Sequence, residues 1–196
     1  MKLINNKYKE VINYLKTILK PLQINLLGKI KGNIFELMQN RQLEGWCWES
    51  TQTCALFFND NDYIERGYLR LSKEQENYYH SWICFEFKNI EYVFDPCLNK
   101  ILSKSMYYSR FTPRVENQVY AKEVKKFILQ EIRNHNEPKN SWLWRFLDNE
   151  TINDLKKQTI IEGTEKPNAP IFRGNVGYII NSENDDINET IAHFYW

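Results

Sequence analysis

The chain has 196 residues, a length that suits one domain able to bury its own hydrophobic core. Hydrophobic residues make up 42% and aromatic residues 15% of the chain, and these values exclude a largely disordered protein. The formal net charge is +1, so the basic excess of a typical DNA- or RNA-binding domain is missing. We therefore expect a globular protein with no nucleic-acid partner.

Neither a targeting segment nor a membrane span is predicted. Lys7, Lys9, Glu10 and Lys16 interrupt the N-terminal region before the apolar part of a signal peptide could form. No stretch reaches the roughly 18 apolar residues that a membrane helix needs. The expected protein is cytoplasmic and does not bind membranes, and secretion by a signal-independent route stays open.

The cysteine pattern does not indicate a disulfide framework or a metal site. The four cysteines are Cys47, Cys54, Cys84 and Cys97. No two of them have the CxxC spacing of a structural zinc site, and no carboxylate cluster suits calcium. We expect no metal and no cofactor.

The first third of the chain is predicted to be helical. Apolar residues recur every three or four positions over Asn6–Leu19, which is typical of an amphipathic helix that Pro21 ends. Asn33–Met38 is predicted to be a short helical turn. A break at Gly45 then precedes a helix over Trp46–Phe58, which carries Cys47 in its first turn and a stripe of small and apolar residues.

Strands follow, and the second half is predicted to be mainly helical. We expect strands over Tyr63–Leu71, Tyr79–Phe87 and Ile90–Asp95. Helices are expected over Val115–Asn134 and Trp142–Leu155, and one or two strands over Ile171–Ile180. This order predicts an α+β fold with an antiparallel sheet in a single domain, 1–196. Its core would lie at about 43–98, and a helical and β extension at about 115–196.

The hairpin formed by the last two of those strands brings two polar residues together. A two-residue turn at Lys88–Asn89 fixes the strand register. The core-facing pairs are then all apolar: Phe87 with Ile90, Phe85 with Tyr92, and Ile83 with Phe94. By alternation, His80 and Asp95 lie on the opposite face as diagonal neighbours, with α-carbons roughly 7–8 Å apart. An imidazole and a carboxylate can bridge that gap.

These residues are suited to nucleophilic catalysis by a thiol. Cys47 at a helix start would feel the positive end of the helix dipole, which favours the thiolate. His80 could take and return a proton, Asp95 could orient the imidazole, and backbone N–H groups of the helix start could polarise a carbonyl oxygen. The other three cysteines are interpreted as small buried hydrophobic residues.

Three segments resemble the transglutaminase-like superfamily of papain-related cysteine enzymes. They are Gly45-Trp46-Cys47-Trp48, His80-Ser81-Trp82 and Tyr92-Val93-Phe94-Asp95-Pro96. In that family a G-x-C step opens a helix, an H-x-W strand follows, and an aromatic-rich strand ends in D or D-P. The resemblance covers about Leu43–Leu98, under a third of the chain.

The resemblance implies a Cys47–His80–Asp95 triad and a papain-like core. Members of the superfamily include proteases, amidases, deamidases and protein crosslinking enzymes. The side chains expected to line the substrate cleft are those of Trp46, Trp48 and Trp82. Gln42 or Trp46 is a candidate contributor to the oxyanion hole.

Three functional hypotheses follow. The first is a hydrolase or acyltransferase that acts on an amide of a peptide or protein through a thioester at Cys47, with water or an amine as the acceptor. The second is a non-catalytic binding module with the same fold. The third is a small-molecule acyltransferase that resembles arylamine N-acetyltransferases. The oligomeric state stays open.

Overall fold

The computed structural model describes residues 2–26, 30–70, 78–134 and 147–161. Its helices are α1 (Lys2–Ile18), α2 (Ile34–Gln39), α3 (Cys47–Ala55), α4 (Lys104–Phe111), α5 (Ala121–Asn134) and α6 (Asn149–Ile161). Its strands are β1 (Gln23–Leu26), β2 (Ile30–Asn33), β3 (Tyr63–Leu69), β4 (Tyr78–Phe87), β5 (Ile90–Asp95), β6 (Lys100–Ser103) and β7 (Arg114–Tyr120). All strand pairs between these elements are antiparallel, which confirms the α+β class.

Five strands form the central sheet in the order β6-β5-β4-β3-β7. The β4–β5 hairpin has the predicted register, with Phe87 facing Ile90, Phe85 facing Tyr92, and Ile83 facing Phe94. Lys88 and Asn89 have φ angles of 52° and 59°, the left-handed values that a type I′ turn requires at both central positions. The turn chemistry therefore set the register as expected.

The two faces of the sheet are buried in different ways. One face carries Ile83, Phe85 and Phe94 and belongs to the main core, to which α1, α2, α3, α5 and α6 all contribute buried residues. The other face carries a smaller cluster under α4, made of Leu69, Trp82, Cys84, Val93, Tyr107 and Phe111. Alternation along β4 and β5 thus separates a face dominated by large apolar side chains from one that also buries charged groups.

The prediction of one helix over Val115–Asn134 is wrong in its first part. Residues Arg114–Tyr120 form β7, which pairs with β3, and α5 begins at Ala121. The four-residue spacing of Val115 and Val119 fits a helix, but only Val119 is buried along β7. Hydrogen bonding to a distant strand therefore outweighs the local pattern.

Three further expectations have different outcomes. Of the helix predicted over Trp142–Leu155, residues 142–146 lie outside the described residues, Leu147 bridges to Ile24, and α6 begins at Asn149. The strands expected over Ile171–Ile180 lie outside the described residues. No helix within those residues is long and apolar enough to cross a membrane.

Candidate active site

Cys47 is the first residue of α3, and its side chain is half-buried. Gly45 has a φ of 82°, a left-handed conformation that lets the chain turn sharply into the helix. The N-cap residue, Trp46, makes no side-chain capping hydrogen bond. The amide groups of the first turn have no intrahelical partner by the geometry of a helix, so this end of α3 suits an oxyanion.

The start of α3 is attached to the sheet by a hydroxyl network. Thr51 Oγ1 lies 2.8 Å from the carbonyl oxygen of Cys47, to which it donates. The same hydroxyl lies 3.0 Å from Ser81 Oγ on β4. Because Ser81 follows His80 directly, this network fixes the helix start beside the candidate base.

His80 and Asp95 are in direct contact, as the hairpin register predicted. His80 Nε2 lies 2.9 Å from Asp95 Oδ2, and both side chains are fully buried. The ring stacks on Tyr78 at 4.9 Å and on Trp82 at 6.3 Å between centroids. These two rings and the carboxylate hold the imidazole in one orientation.

Asp95 accepts two further hydrogen bonds that the sequence did not reveal. The Tyr107 hydroxyl donates to Oδ2 at 2.7 Å, and the backbone N–H of Leu98 donates to Oδ1 at 3.0 Å. Tyr107 is fully buried and comes from α4, which was not predicted. No spacing or motif near Tyr107 connects it to Asp95, so only the folded chain shows this contact.

The protonation of His80 reflects both of its neighbours. Burial by itself lowers the pKa of His80, but the charges of Asp95 and Cys47, together with hydrogen bonds that the ring makes to both side chains, raise it to about 10. Nδ1 is buried and makes no well-aligned hydrogen bond. Since Nε2 serves Asp95, Nδ1 is the nitrogen left for the Cys47 thiol, and such bonds often tighten only when substrate binds.

The remaining cysteines are buried, as expected. Burial raises the pKa of Cys54, Cys84 and Cys97. Cys97 Sγ also donates to the carbonyl oxygen of Leu43 at 2.8 Å. Of the four thiols, only that of Cys47 is partly open to solvent.

The predicted cleft residues have different environments. Trp46 and Trp48 are half-buried beside Cys47, and Gln42 is exposed. The expectation that Trp82 lines the cleft needs correction, because its side chain is fully buried and its indole N–H donates to Glu65 Oε2 at 2.8 Å. Trp82 instead supports the His80 ring from inside the protein.

A second buried polar group lies on the same face of the sheet. We call it the glutamate cluster: Glu65, Trp82, Cys84, Lys104 and Tyr108. Glu65 accepts hydrogen bonds from the four others, with Lys104 Nζ at 3.1 Å and Cys84 Sγ at 3.2 Å. Each oxygen of this carboxylate therefore has a donor.

A β-bulge lies at the level of His80. Gly67 pairs with His80, and the β3–β7 register shifts between Arg66 and Gly67. A Cβ on Gly67 would lie 2.1 Å from the carbonyl oxygen of Arg114, so only glycine allows β7 to approach this closely. Bulges are common beside active sites, where they redirect side chains.

Comparison with protein-family models, with curated proteins and with solved structures gives no match. Within the described residues, no group of three or more histidine, cysteine or carboxylate side chains is placed to hold a metal ion. The geometry of Cys47, His80 and Asp95 is therefore the main indication of function.

Proposed function

We propose that the protein is a thiol-dependent hydrolase or acyltransferase of the transglutaminase-like type, acting on an amide of a peptide or protein. The observation that carries this proposal is the position of one buried imidazole, which contacts Asp95 through Nε2 and is influenced by the charge of Cys47. A nucleophile, a base and an orienting carboxylate in that order are the recurring arrangement of thiol catalysis.

The acylation step follows from this arrangement. The Cys47 thiolate attacks the amide carbon, an S–C bond forms, and the carbonyl electrons move to oxygen. Amides of the α3 start stabilise that oxyanion. The His80 imidazolium then gives its proton to the nitrogen as the C–N bond breaks, and the amine leaves. A thioester at Cys47 results.

Deacylation reverses the roles. Water or an amine attacks the thioester carbon while His80 takes its proton, and the S–C bond breaks to return the Cys47 thiolate. Asp95 supports the imidazolium in both steps, and Tyr107 and Leu98 hold Asp95 in place. The buried ring stack keeps the imidazole from rotating away during the cycle.

The test begins with the reactivity of Cys47. Iodoacetamide at neutral pH should alkylate Cys47 in seconds to minutes and Cys54 far more slowly, because the Cys54 thiol is buried. Peptide mapping by mass spectrometry locates the label. Slow labelling of Cys47, at a rate that His80→Gln does not change, would favour a non-catalytic binding module.

The second stage searches for the intermediate. The intact protein is incubated with peptide and amine libraries and its mass is measured after acid quench. A mass increase that hydroxylamine removes and that Cys47→Ala abolishes identifies the thioester. An adduct that forms only with acetyl-coenzyme A would instead indicate a small-molecule acyltransferase.

A further inference from the structure

A series of stacked rings and guanidinium groups, which we call the arginine–aromatic ladder, includes the ring of Trp48, the residue after Cys47. Arg66 Cζ lies 4.5 Å from the ring centroid of Trp48 and 4.7 Å from that of Tyr79. Tyr79 contacts Tyr68 at 4.9 Å between centroids, and Arg114 Cζ lies 4.5 Å from the Tyr68 ring. The ladder thus crosses from α3 over β4 and β3 to β7.

The position of Arg66 ties the ladder to the candidate active site. Trp48 follows Cys47 directly, and Tyr79 precedes His80 directly. Trp48 therefore places Arg66 next to the start of α3, on the face of β4 opposite to His80, because side chains alternate along a strand. Arg66 also pairs across the sheet with Ser81, whose hydroxyl contacts α3 through Thr51.

The hydrogen-bonding edge of the Arg66 guanidinium is the part of this side chain that a ligand would contact. The rings of Trp48 and Tyr79 both lie within stacking distance of the Arg66 guanidinium, whose N–H donors lie in the plane of the group. No carboxylate forms an ion pair with Arg66 within the part of the chain that the structure describes. A planar fork packed against two rings is suited to bidentate binding of a carboxylate.

Arg66 lies between two local electrostatic influences, the dipole of α3 and the carboxylate of Glu49. The start of α3 is the positive end of a helix dipole, where an added cation is unfavourable. Burial raises the pKa of Glu49, and Arg66 opposes that effect through its charge without touching the carboxylate. The Arg66 guanidinium adds to the positive potential of the helix start, which Glu49 offsets in part, and such a potential favours an anionic group of a ligand.

We infer that Arg66 binds a carboxylate of the substrate, so that the enzyme acts on an amide close to an aspartate or glutamate side chain. This inference rests on the proposed function and names the substrate class of that same site. Trp48 and Tyr79 hold the guanidinium, and Arg66 makes a bidentate contact with the acidic side chain. The peptide then lies with its amide over Cys47.

The test uses two peptide vinyl sulfones that differ only in charge, acetyl-Glu-Gly and acetyl-Gln-Gly derivatives. The Cys47 thiolate adds to the terminal alkene carbon, the π electrons move to the carbon beside the sulfone, and that carbon takes a proton from His80. Inactivation rates are followed by intact mass. We expect the glutamate probe to react about tenfold faster with the unmodified protein, as for one charge-assisted contact.

Variants separate Arg66 from general charge effects. Arg66→Gln should remove the preference, and Arg66→Lys should keep only a small part of it because an ammonium lacks the planar fork. Arg110→Gln, which removes an arginine on α4, should leave the preference unchanged. Equal rates for both probes, or a preference that survives in Arg66→Gln, would overturn the inference.

Iodoacetamide labelling of Cys47 in every variant keeps the two proposals distinguishable. Fast labelling that depends on His80, combined with no preference between the probes, refutes the role of Arg66 alone. Slow labelling of Cys47 in the unmodified protein refutes the proposed function itself. Circular dichroism of Arg66→Lys and Arg66→Gln checks that each variant has folded.

Discussion

Two buried carboxylates lie on one face of the central sheet, and their surroundings differ. In the glutamate cluster, Lys104 Nζ neutralises Glu65 at 3.1 Å, and each oxygen of the carboxylate has a donor. Around Asp95 the partner is His80, whose Nδ1 is buried without a well-aligned hydrogen bond. The first arrangement is complete in itself, whereas the second leaves one nitrogen for a further proton transfer.

If the proposed function holds, this difference separates a structural network from a catalytic one. A buried polar network in which every member has a partner rigidifies a fold. A buried polar atom without a partner costs free energy, roughly 1–3 kcal/mol, and calls for a functional explanation. Half-buried Cys47 lies beside His80 and Asp95, while Cys84 in the glutamate cluster is fully buried.

The largest effect is expected from removing the imidazole. His80→Gln keeps a polar side chain against Asp95 but cannot exchange a proton with Cys47. Alkylation of Cys47 by iodoacetamide at pH 7 should slow by about 100-fold and turnover by about 1,000-fold, the range for loss of a general base. Rates are measured by mass spectrometry. Unchanged labelling would place His80 outside the chemistry.

Breaking the glutamate cluster should instead lower stability and leave the reactivity of Cys47 nearly unchanged. Lys104→Met leaves Glu65 buried without its cation, and we expect a loss of about 2 kcal/mol in the free energy of unfolding, reduced because Lys104 is partly exposed. Urea denaturation measures the loss. The labelling rate of Cys47 should stay within about twofold, and a large fall in that rate would show that the two clusters are coupled.

A smaller effect is expected from Tyr107. Tyr107→Phe removes one of the three donors to Asp95 and keeps the ring that packs on Trp82 and Phe111. Turnover should fall about tenfold, since a hydrogen bond to a charged group contributes about 1.5 kcal/mol. The pH profile of turnover should also shift. Tyr108→Phe, which removes a donor to Glu65, is the matched control and should leave the profile unchanged.

The smallest effect is the pH dependence of stability. The pKa of His80 is raised to about 10 in the folded state, above its unfolded value of about 6.5. The protonated ring therefore stabilises the fold fully below pH 6.5, and that stability is lost as pH rises from 6.5 through 10. Between pH 6.5 and 7.5 the loss should be about 1 kcal/mol, the linkage slope for one proton.

Urea denaturation of the unmodified protein and of His80→Gln at both pH values isolates this contribution. The unmodified protein should lose more stability over that interval than the variant does. A gain in stability with rising pH that is specific to the unmodified protein would contradict the raised pKa of His80.

The hairpin shows how much local pattern can predict. Its register follows from the two-residue turn at Lys88–Asn89 and from apolar pairing, and the structure has both. That register alone brought His80 and Asp95 together, because side chains alternate strictly along a strand. The start of α3 at Cys47 likewise follows from Gly45 and the stripe of small residues beyond it.

Other parts of the structure were not predictable from local pattern, because they depend on contacts between distant segments. β7 was predicted as the first part of a helix, and only pairing with β3 makes it a strand. The burial of Trp82 depends on Glu65 and α4, which lie in other parts of the chain. Arg66 has no motif, and its two rings come from α3 and β4.

The sequence by itself determined what depends on neighbours along the chain: the hairpin, the helix that Cys47 opens, and the pairing of His80 with Asp95. Only the tertiary structure decided what Tyr107, Arg66 and Glu65 contact. The physical reason is the distance along the chain over which each kind of interaction acts. Turn geometry and side-chain alternation act over a few residues, whereas burial and ion pairing depend on segments that meet only when the whole chain has folded.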